Sequence, residues 1–192
     1  MPVIEAETKV RDRVLGALFT ALICLGAFMQ ITIPLEPFPM HFTMQFYFVL
    51  LAGLLLGGRR GCVSVCIYLS IGLCGIPIFA SGGGPSYILR PTFGFLIGFA
   101  LASWIVGRLT EIWRPDKTAG YLFVCLFGFA AMYVCGMCYF YIVSNYVIHI
   151  PVSWGLVFIN CFAVTAAGDL ALCILAAVSA KQLYAIMRKV IR

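Results

Sequence analysis

The stretch Tyr121-Leu-Phe-Val-Cys-Leu-Phe-Gly-Phe-Ala-Ala-Met-Tyr-Val-Cys-Gly-Met-Cys-Tyr-Phe-Tyr-Ile-Val-Ser-Asn-Tyr146 runs for 26 residues without a charged side chain. At about 1.5 Å per residue a helix of that length exceeds the roughly 30 Å hydrocarbon core of a bilayer. It reads as a transmembrane span, and the rest of the chain agrees. Of the 192 residues, 63% are hydrophobic and 10% charged. An ordinary soluble domain is about a quarter charged, so this chain lacks the polar surface to cover itself in water. Disorder is excluded by the same composition, because unfolded segments are poor in apolar and aromatic residues.

Working outward, apolar runs bounded by proline, glycine and charge predict six spans. They are about Val14–Ile33, Met44–Gly57, Gly61–Ile76, Thr92–Leu109, Tyr121–Tyr146 and Trp154–Ala180. The second and third are short for a full crossing. Prolines interrupt helices, and all nine fall outside these runs: Pro2 before the first, Pro34, Pro37 and Pro39 after it, Pro77, Pro85 and Pro91 between the third and fourth, Pro115 and Pro151 in the next two loops. The expectation is an all-α integral membrane protein, a single domain over residues 1–192. The first span is too long for the apolar part of a cleaved signal peptide, and no small-residue cleavage site precedes the Pro-rich loop.

Basic residues orient the bundle, since Lys and Arg concentrate in cytoplasmic loops. Lys9, Arg11 and Arg13 precede the first span; Arg59 and Arg60 follow the second; Arg108, Arg114 and Lys117 follow the fourth; Lys181, Arg188, Lys189 and Arg192 end the chain. All share one side, which puts both termini in the cytoplasm and the protein in the cell membrane. Of the 13 Lys and Arg residues, Arg90 alone falls in an outer loop. The net charge of +6 is scattered between apolar runs rather than gathered into the soluble basic stripe that nucleic acid requires.

Polar chemistry is confined to few places. Asp169 is the one acidic residue inside a predicted span. A charge at that depth costs several kcal/mol unless paired or hydrated, which marks it for ligand contact or for bonding a neighbouring helix. Thr165 lies one turn away on the same face, whereas Asn160 points elsewhere. The outer loop Gly75-Ile-Pro-Ile-Phe-Ala-Ser-Gly-Gly-Gly-Pro-Ser-Tyr-Ile-Leu-Arg90 ends at the start of the fourth span. A guanidinium beside a helix N-terminus suits a carboxylate, through its bidentate fork and the free backbone N–H groups. The other reading is an interfacial arginine that reaches toward lipid headgroups. Tyr87 adds a ring and a hydroxyl. No Gly-Lys-Ser/Thr follows the glycines, so this is no phosphate-binding loop, and nothing in the chain is built to hydrolyse ATP.

Other patterns are weaker. The nine cysteines lie in apolar runs and read as small buried hydrophobes rather than a disulfide framework. Cys135 and Cys138 have the spacing of a redox pair. His41 and His149 are too few for a metal site, so no metal or cofactor is expected. Gly53-x-x-x-Gly57 and Gly94-x-x-x-Gly98 allow close helix packing, and Ala17-x-x-x-Ala21 offers a flat strip to another helix, within this chain or outside it.

The chain resembles the biotin-specific substrate-binding subunit (S component) of energy-coupling-factor transporters. The likeness rests on Ile33-Pro34-Leu35, Leu50-Leu-Ala-Gly-Leu-Leu-Leu-Gly57, Tyr68-Leu69, Gly75-Ile-Pro-Ile-Phe-Ala80 with the glycines after it, and Pro91-Thr92-Phe-Gly-Phe-Leu-Ile-Gly-Phe99, and resumes at Gly168-Asp169. It implies a six-helix protein that captures a vitamin from outside and works with a transmembrane coupling protein and two cytoplasmic ATPases. It implies no catalysis by the chain itself. Ala17 and Ala21 match the small-residue motif that docks on the coupling protein. Substrate contacts carried over by the resemblance are Thr43, Gln45, Ser81, Gly83, Gly84, Tyr87, Arg90 and Asp169. Arg90 would hold a carboxylate, Phe79 and Tyr87 would pack on an aliphatic tail or ring, and Asp169 or Gln45 would meet ureido-like N–H and C=O groups. The chain departs from the family in holding Val164, Ala167 and Leu172 where a Pro-rich motif and a lysine are usual, and Arg90 where glycine is usual.

Three functions follow from these readings. The first is an S component importing biotin or a related carboxylate such as lipoate, although lipoate would leave Asp169 without a donor. The second is a stand-alone secondary transporter, which would require an intramembrane ion relay. The third is a thiol oxidoreductase on Cys135 and Cys138.

Overall fold

The computed structural model describes the backbone of residues 2–36 and 38–190, and side chains over 10–36 and 38–184. Pro37 and the side chains of Lys9, Arg188, Lys189 and Arg192, on which part of the orientation argument rests, lie outside the described residues. The chain forms α1 (Pro2–Phe28), a hairpin of β1 (Gln30–Ile33) and β2 (Met40–Thr43), α2 (Gln45–Leu56), α3 (Gly58–Leu73), a 3₁₀ turn at Pro85–Leu89, α4 (Phe93–Trp113), α5 (Thr118–Ile142), α6 (Trp154–Val157) and α7 (Ala166–Val190). Helix α4 is central, packed on α2, α3 and α5; α7 lies on α5 and α2, and α1 on α2 and α3.

Among the described residues, three helical stretches are long and apolar enough to cross a membrane: Phe93–Trp113, Thr118–Val147 and Ala166–Tyr184. Gln45–Leu56 is shorter, as its apolar run predicts. Large apolar side chains such as Phe123, Phe127, Val134, Ile174 and Leu175 face outward while the centre of the bundle is apolar as well. A helix hydrophobic on every side belongs in lipid. The chain is a membrane protein.

Two expected spans need correction. The first helix ends at Phe28, and Gln30–Ile33, assigned to it from sequence, form a strand. The strand pairs antiparallel with β2, Gln30 opposite Thr43 and Ile33 opposite Met40. Thr32, Ile31 and Ile33 are β-branched and Pro34 stops the run, which favours a short hairpin over another helical turn. The last predicted span, 154–180, is not one helix. After α6 the chain passes through a π-helical stretch, Phe158–Ala163, and a turn at 164–165 before α7 begins. Such π segments interrupt the regular ladder and often occur at functional sites.

Glycine sets the helix spacing where expected. A Cβ on Gly53 would lie 2.6 Å from Ser103 O, one on Gly98 2.9 Å from Met132 O, and one on Gly94 2.3 Å from Tyr139 Cβ. Those contacts bring α2 and α5 against α4. At the end of the bundle opposite the hairpin, Arg60 grips Asp12 with N–O distances of 3.1 and 2.7 Å, joining α3 to α1. There too Glu111 accepts the Gly58 N–H at 2.9 Å and Arg108 at 2.8 Å, joining α4 to the start of α3. The described basic residues other than Arg90 therefore gather at one end of the bundle, with the hairpin and glycine loop at the other.

Candidate functional site

A cavity of about 70 Å³ opens beneath the hairpin. Met40, His41, Phe42 and Thr43 of the hairpin, Gln45 and Phe46 of α2, Ala80 and Tyr87 of the glycine loop, and Thr92, Phe95, Leu96 and Phe99 at the start of α4 line it. Met132, Thr165 and Asp169 close its far side. Aromatic and aliphatic walls with a few converging polar groups are the usual make-up of a small-molecule site.

Asp169 is 8% exposed and stands in the first turn of α7. The break before α7 aims it into the cavity, and the positive end of the helix dipole favours its charge. Its Oδ2 accepts a hydrogen bond from the Tyr133 hydroxyl at 2.6 Å. Tyr133 Oη also lies 2.8 Å from Thr165 Oγ1, and Thr165 donates to Cys161 O at 2.7 Å, inside the π-helical stretch. Leu172, three residues on from Asp169, is buried in the apolar core. The donor beside the carboxyl is therefore a phenol on α5 rather than a cation. Across the cavity, Thr43 donates to Gln45 Oε1 at 3.3 Å, Gln45 Nε2 donates to Tyr68 Oη at 2.6 Å, and Tyr68 donates to Ile78 O at 3.2 Å. That chain fixes the Gln45 amide between the hairpin and the loop.

The model of the BioY family matches residues 3–189. The chain belongs to the BioY family. It is 39% identical over 175 residues to a protein of Lysinibacillus sphaericus named "Probable biotin transporter BioY", covering 91% of this chain and 87% of that one. It is 36% identical over 141 residues to the biotin transporter BioY of Thermotoga maritima, covering 73% and 78%. A crystal structure of the S component for biotin from an ECF-type ABC transporter superposes with a TM-score of 0.79 at 26% identity over 93% of each chain.

Within this BioY-family chain the expected site residues separate into groups. Thr43, Gln45, Tyr87 and Asp169 share the cavity wall. Arg90 is exposed and is not part of that wall; its guanidinium carbon stands 5.0 Å from the Tyr87 ring centroid, in cation–π contact. It stands beside the cavity wall rather than in it. Phe79 does not line the cavity: it is 2% exposed and packs between Tyr68, Tyr87 and Phe93. Gly83 and Gly84 are packed within the loop and do not line the cavity. A Cβ on Gly83 would strike Ile76 O at 2.3 Å, and Gly84, at φ 105°, donates to Gly72 O at 2.8 Å. Ser81 is turned to His41 Nε2, 2.7 Å away.

Tyr133, His41 and the wall residues Phe46, Phe95, Leu96, Phe99 and Met132 escaped the sequence reading. Tyr133 and His41 carried a signal, a hydroxyl in mid-span and a lone imidazole beside the Pro-rich loop. The wall residues carried none that distinguishes them from packing. Asn160 stays out of the cavity, as expected, and donates to Glu36 O at 3.0 Å, pinning the hairpin loop to the π-helical stretch. Cys135 and Cys138 are free thiols, half-buried and exposed on α5. Among the described residues no group of three or more His, Cys, Asp or Glu is placed to hold a metal.

Ala17 and Ala21 lie elsewhere, in a groove of about 970 Å³ between α1 and α3. Leu25, Phe28, Val63, Ile67 and Ile71 make its apolar floor and flanks, and Arg13, Arg59 and the Asp12–Arg60 pair bound one end.

Proposed function

We propose that the chain is the substrate-capturing S component of an energy-coupling-factor importer for biotin, and that it has no catalytic activity of its own. The observation that carries this reading is the cavity under the hairpin, in which Asp169, Thr165, Gln45 and Thr43 face one another across an aromatic and aliphatic sleeve. A bicyclic ureido head group seats there with an N–H toward the Asp169 carboxylate and its polar edge toward Gln45 and Thr43. Its aliphatic tail runs past Phe95 and Tyr87. Its carboxylate ends at the rim beside Arg90. The Tyr133 bond uses Oδ2, leaving Oδ1 for the ligand.

The rest of the proposal concerns the membrane. Six crossings are formed by α1, α2, α3, α4, α5 with its π-helical end, and the α6–α7 segment. Both termini are cytoplasmic and the cavity opens to the outside of the cell membrane. The gathering of basic residues at the end opposite the hairpin supports this orientation. The Ala17–Ala21 groove receives a helix of a transmembrane coupling protein, which two cytoplasmic ATPases drive. Small residues let that helix approach closely.

The test is calorimetry on the detergent-purified full chain with biotin and with lipoate. Biotin is expected to bind, and lipoate, which lacks the N–H groups, to bind more than about tenfold less tightly because Asp169 is left unpaired. Equal affinities, or no heat with biotin, would reject the assignment.

A further inference from the structure

His41 lies on β2 with both ring nitrogens engaged. Nδ1 is 3.0 Å from Thr32 Oγ1 across the hairpin, and Nε2 is 2.7 Å from Ser81 Oγ in the glycine loop. One further bond joins the same two segments: Gln30 Nε2 donates to Ala80 O at 2.9 Å. The hairpin is anchored from its own side, through Asn160 to Glu36 O and through Met44 N–H to Met29 O at 3.1 Å. The glycine loop is anchored from the other side, through Gly84 N–H to Gly72 O and the Phe79–Gly82 bridge. Between the two anchored segments run the side-chain bonds of His41 and Gln30, beside the cavity that Met40 to Thr43 and Ala80 all line. A neutral imidazole has one N–H and one lone pair, and each hydroxyl partner donates or accepts as needed. Both bonds are thus satisfied in either tautomer.

We propose that His41 is a positioning residue that clasps the glycine loop to the hairpin over the mouth of the cavity, and that breaking its bond to Ser81 limits the rate at which ligand leaves. The claim rests on the cavity being the biotin site. It separates two properties of that site: Asp169, Gln45 and the aromatic walls set what binds, and the clasp sets how long it stays. On this proposal a ligand seated against Asp169 leaves between the hairpin and the glycine loop, where His41 and Ser81 are bonded. Loss of the bond therefore speeds both departure and arrival, and changes the rates more than the equilibrium.

The experiment uses the full chain in detergent, with radiolabelled biotin released into an excess of unlabelled biotin. His41→Ala and Ser81→Ala are each expected to raise the dissociation rate about three- to tenfold, the worth of one net hydrogen bond. The double variant is expected to be no faster than the faster single, because both substitutions remove the same bond. Ser81→Ala deletes one oxygen from a half-buried loop residue and leaves the packing intact. Unchanged dissociation in either single variant overturns the proposal, as does a double variant whose effect is the product of the two. Amide hydrogen exchange over residues 80–84 without ligand is the independent readout: it is expected to accelerate in both single variants, and exchange at the wild-type rate overturns the clasp. If the wild-type chain takes up no biotin, the functional assignment falls, and the exchange measurement still decides whether the clasp exists.

Discussion

The Tyr133 hydroxyl stands 2.6 Å from Asp169 Oδ2 and supplies the carboxyl with a neutral donor from the neighbouring helix. A hydrogen bond to a charged group contributes about 1.5–3 kcal/mol. Tyr133→Phe keeps the ring contacts with Phe95, Phe129 and Phe162 and removes only the hydroxyl, with its bond to Asp169 and its contact with Thr165. Calorimetry is expected to show biotin affinity lower by roughly tenfold or more, at about 1.4 kcal/mol per decade. Asp169→Ala is expected to cost more, since it also removes the ligand's acceptor. A Tyr133→Phe protein that binds biotin like wild type would mean that the phenol merely fills space.

On the proposed binding mode Arg90 meets the ligand's acidic end and nothing deeper, because Tyr87 and not Arg90 forms the cavity wall. Arg90→Ala is expected to weaken biotin by about 1.5–3 kcal/mol, because it removes a charge-assisted hydrogen bond at the rim. Biotin amide, which carries no carboxylate, should bind the variant and the wild type equally. If both ligands weaken together, the arginine acts by holding Tyr87 rather than by meeting the acid.

How much of this was legible in the chain depends on whether a residue's role is local. Asp169 and Arg90 stood out because an ion in a span, or a lone cation outside, is costly or conspicuous wherever its partners are. The bundle was legible for the same reason: long uncharged runs have no other stable home. The strand at Gln30–Ile33 was not, since apolar β-branched residues extend a hydrophobic run as readily as they form a hairpin. His41 was not, because Thr32 and Ser81 lie 9 and 40 residues away and meet it only in the fold. Phe79 lies outside the cavity wall for the same reason, a partner that the sequence does not show. An aromatic in an outer loop reads as ligand surface, yet this one fills the space over Gly72, where a Cβ would come within 2.2 Å of its ring. Tyr133 offered only its mid-span hydroxyl, because the carboxyl it serves lies 36 residues away and meets it only in the fold.

His41 also makes stability depend on pH. Burial first, and then the nearby charge of Arg90, hold its imidazole below its ordinary value of 6.5. The folded chain therefore binds this proton less readily than the unfolded chain does. Stability rises with pH where the unfolded state carries more protons. The contribution is complete above the ordinary value and declines as the solution is acidified below it. Between about pH 7.5 and 5.5, a window spanning the ordinary value, the thermal midpoint of the wild type is expected to fall further than that of His41→Gln. A bound carboxylate offsets the Arg90 charge, so biotin should reduce the wild-type fall. Parallel falls in both proteins would remove His41 from the account.

The groove of Ala17 and Ala21 predicts a separation of transport from binding. It lies between α1 and α3, whereas Asp169 and the hairpin cavity are walled by α2, α4, α5 and α7 together with the loops. A large side chain in the groove therefore blocks a docked helix without reaching the ligand. Ala17→Trp and Ala21→Trp are expected to abolish biotin uptake by cells supplied with the coupling protein and ATPases, while the purified variants keep wild-type affinity. Thr20 sits between them, buried and donating to Ser64 O at 3.0 Å, so α1 remains fixed to α3 when the groove is filled. Uptake that persists with tryptophan at both positions would put the coupling surface on another face of the bundle. Loss of binding together with uptake would instead mean that the substitutions deform the fold.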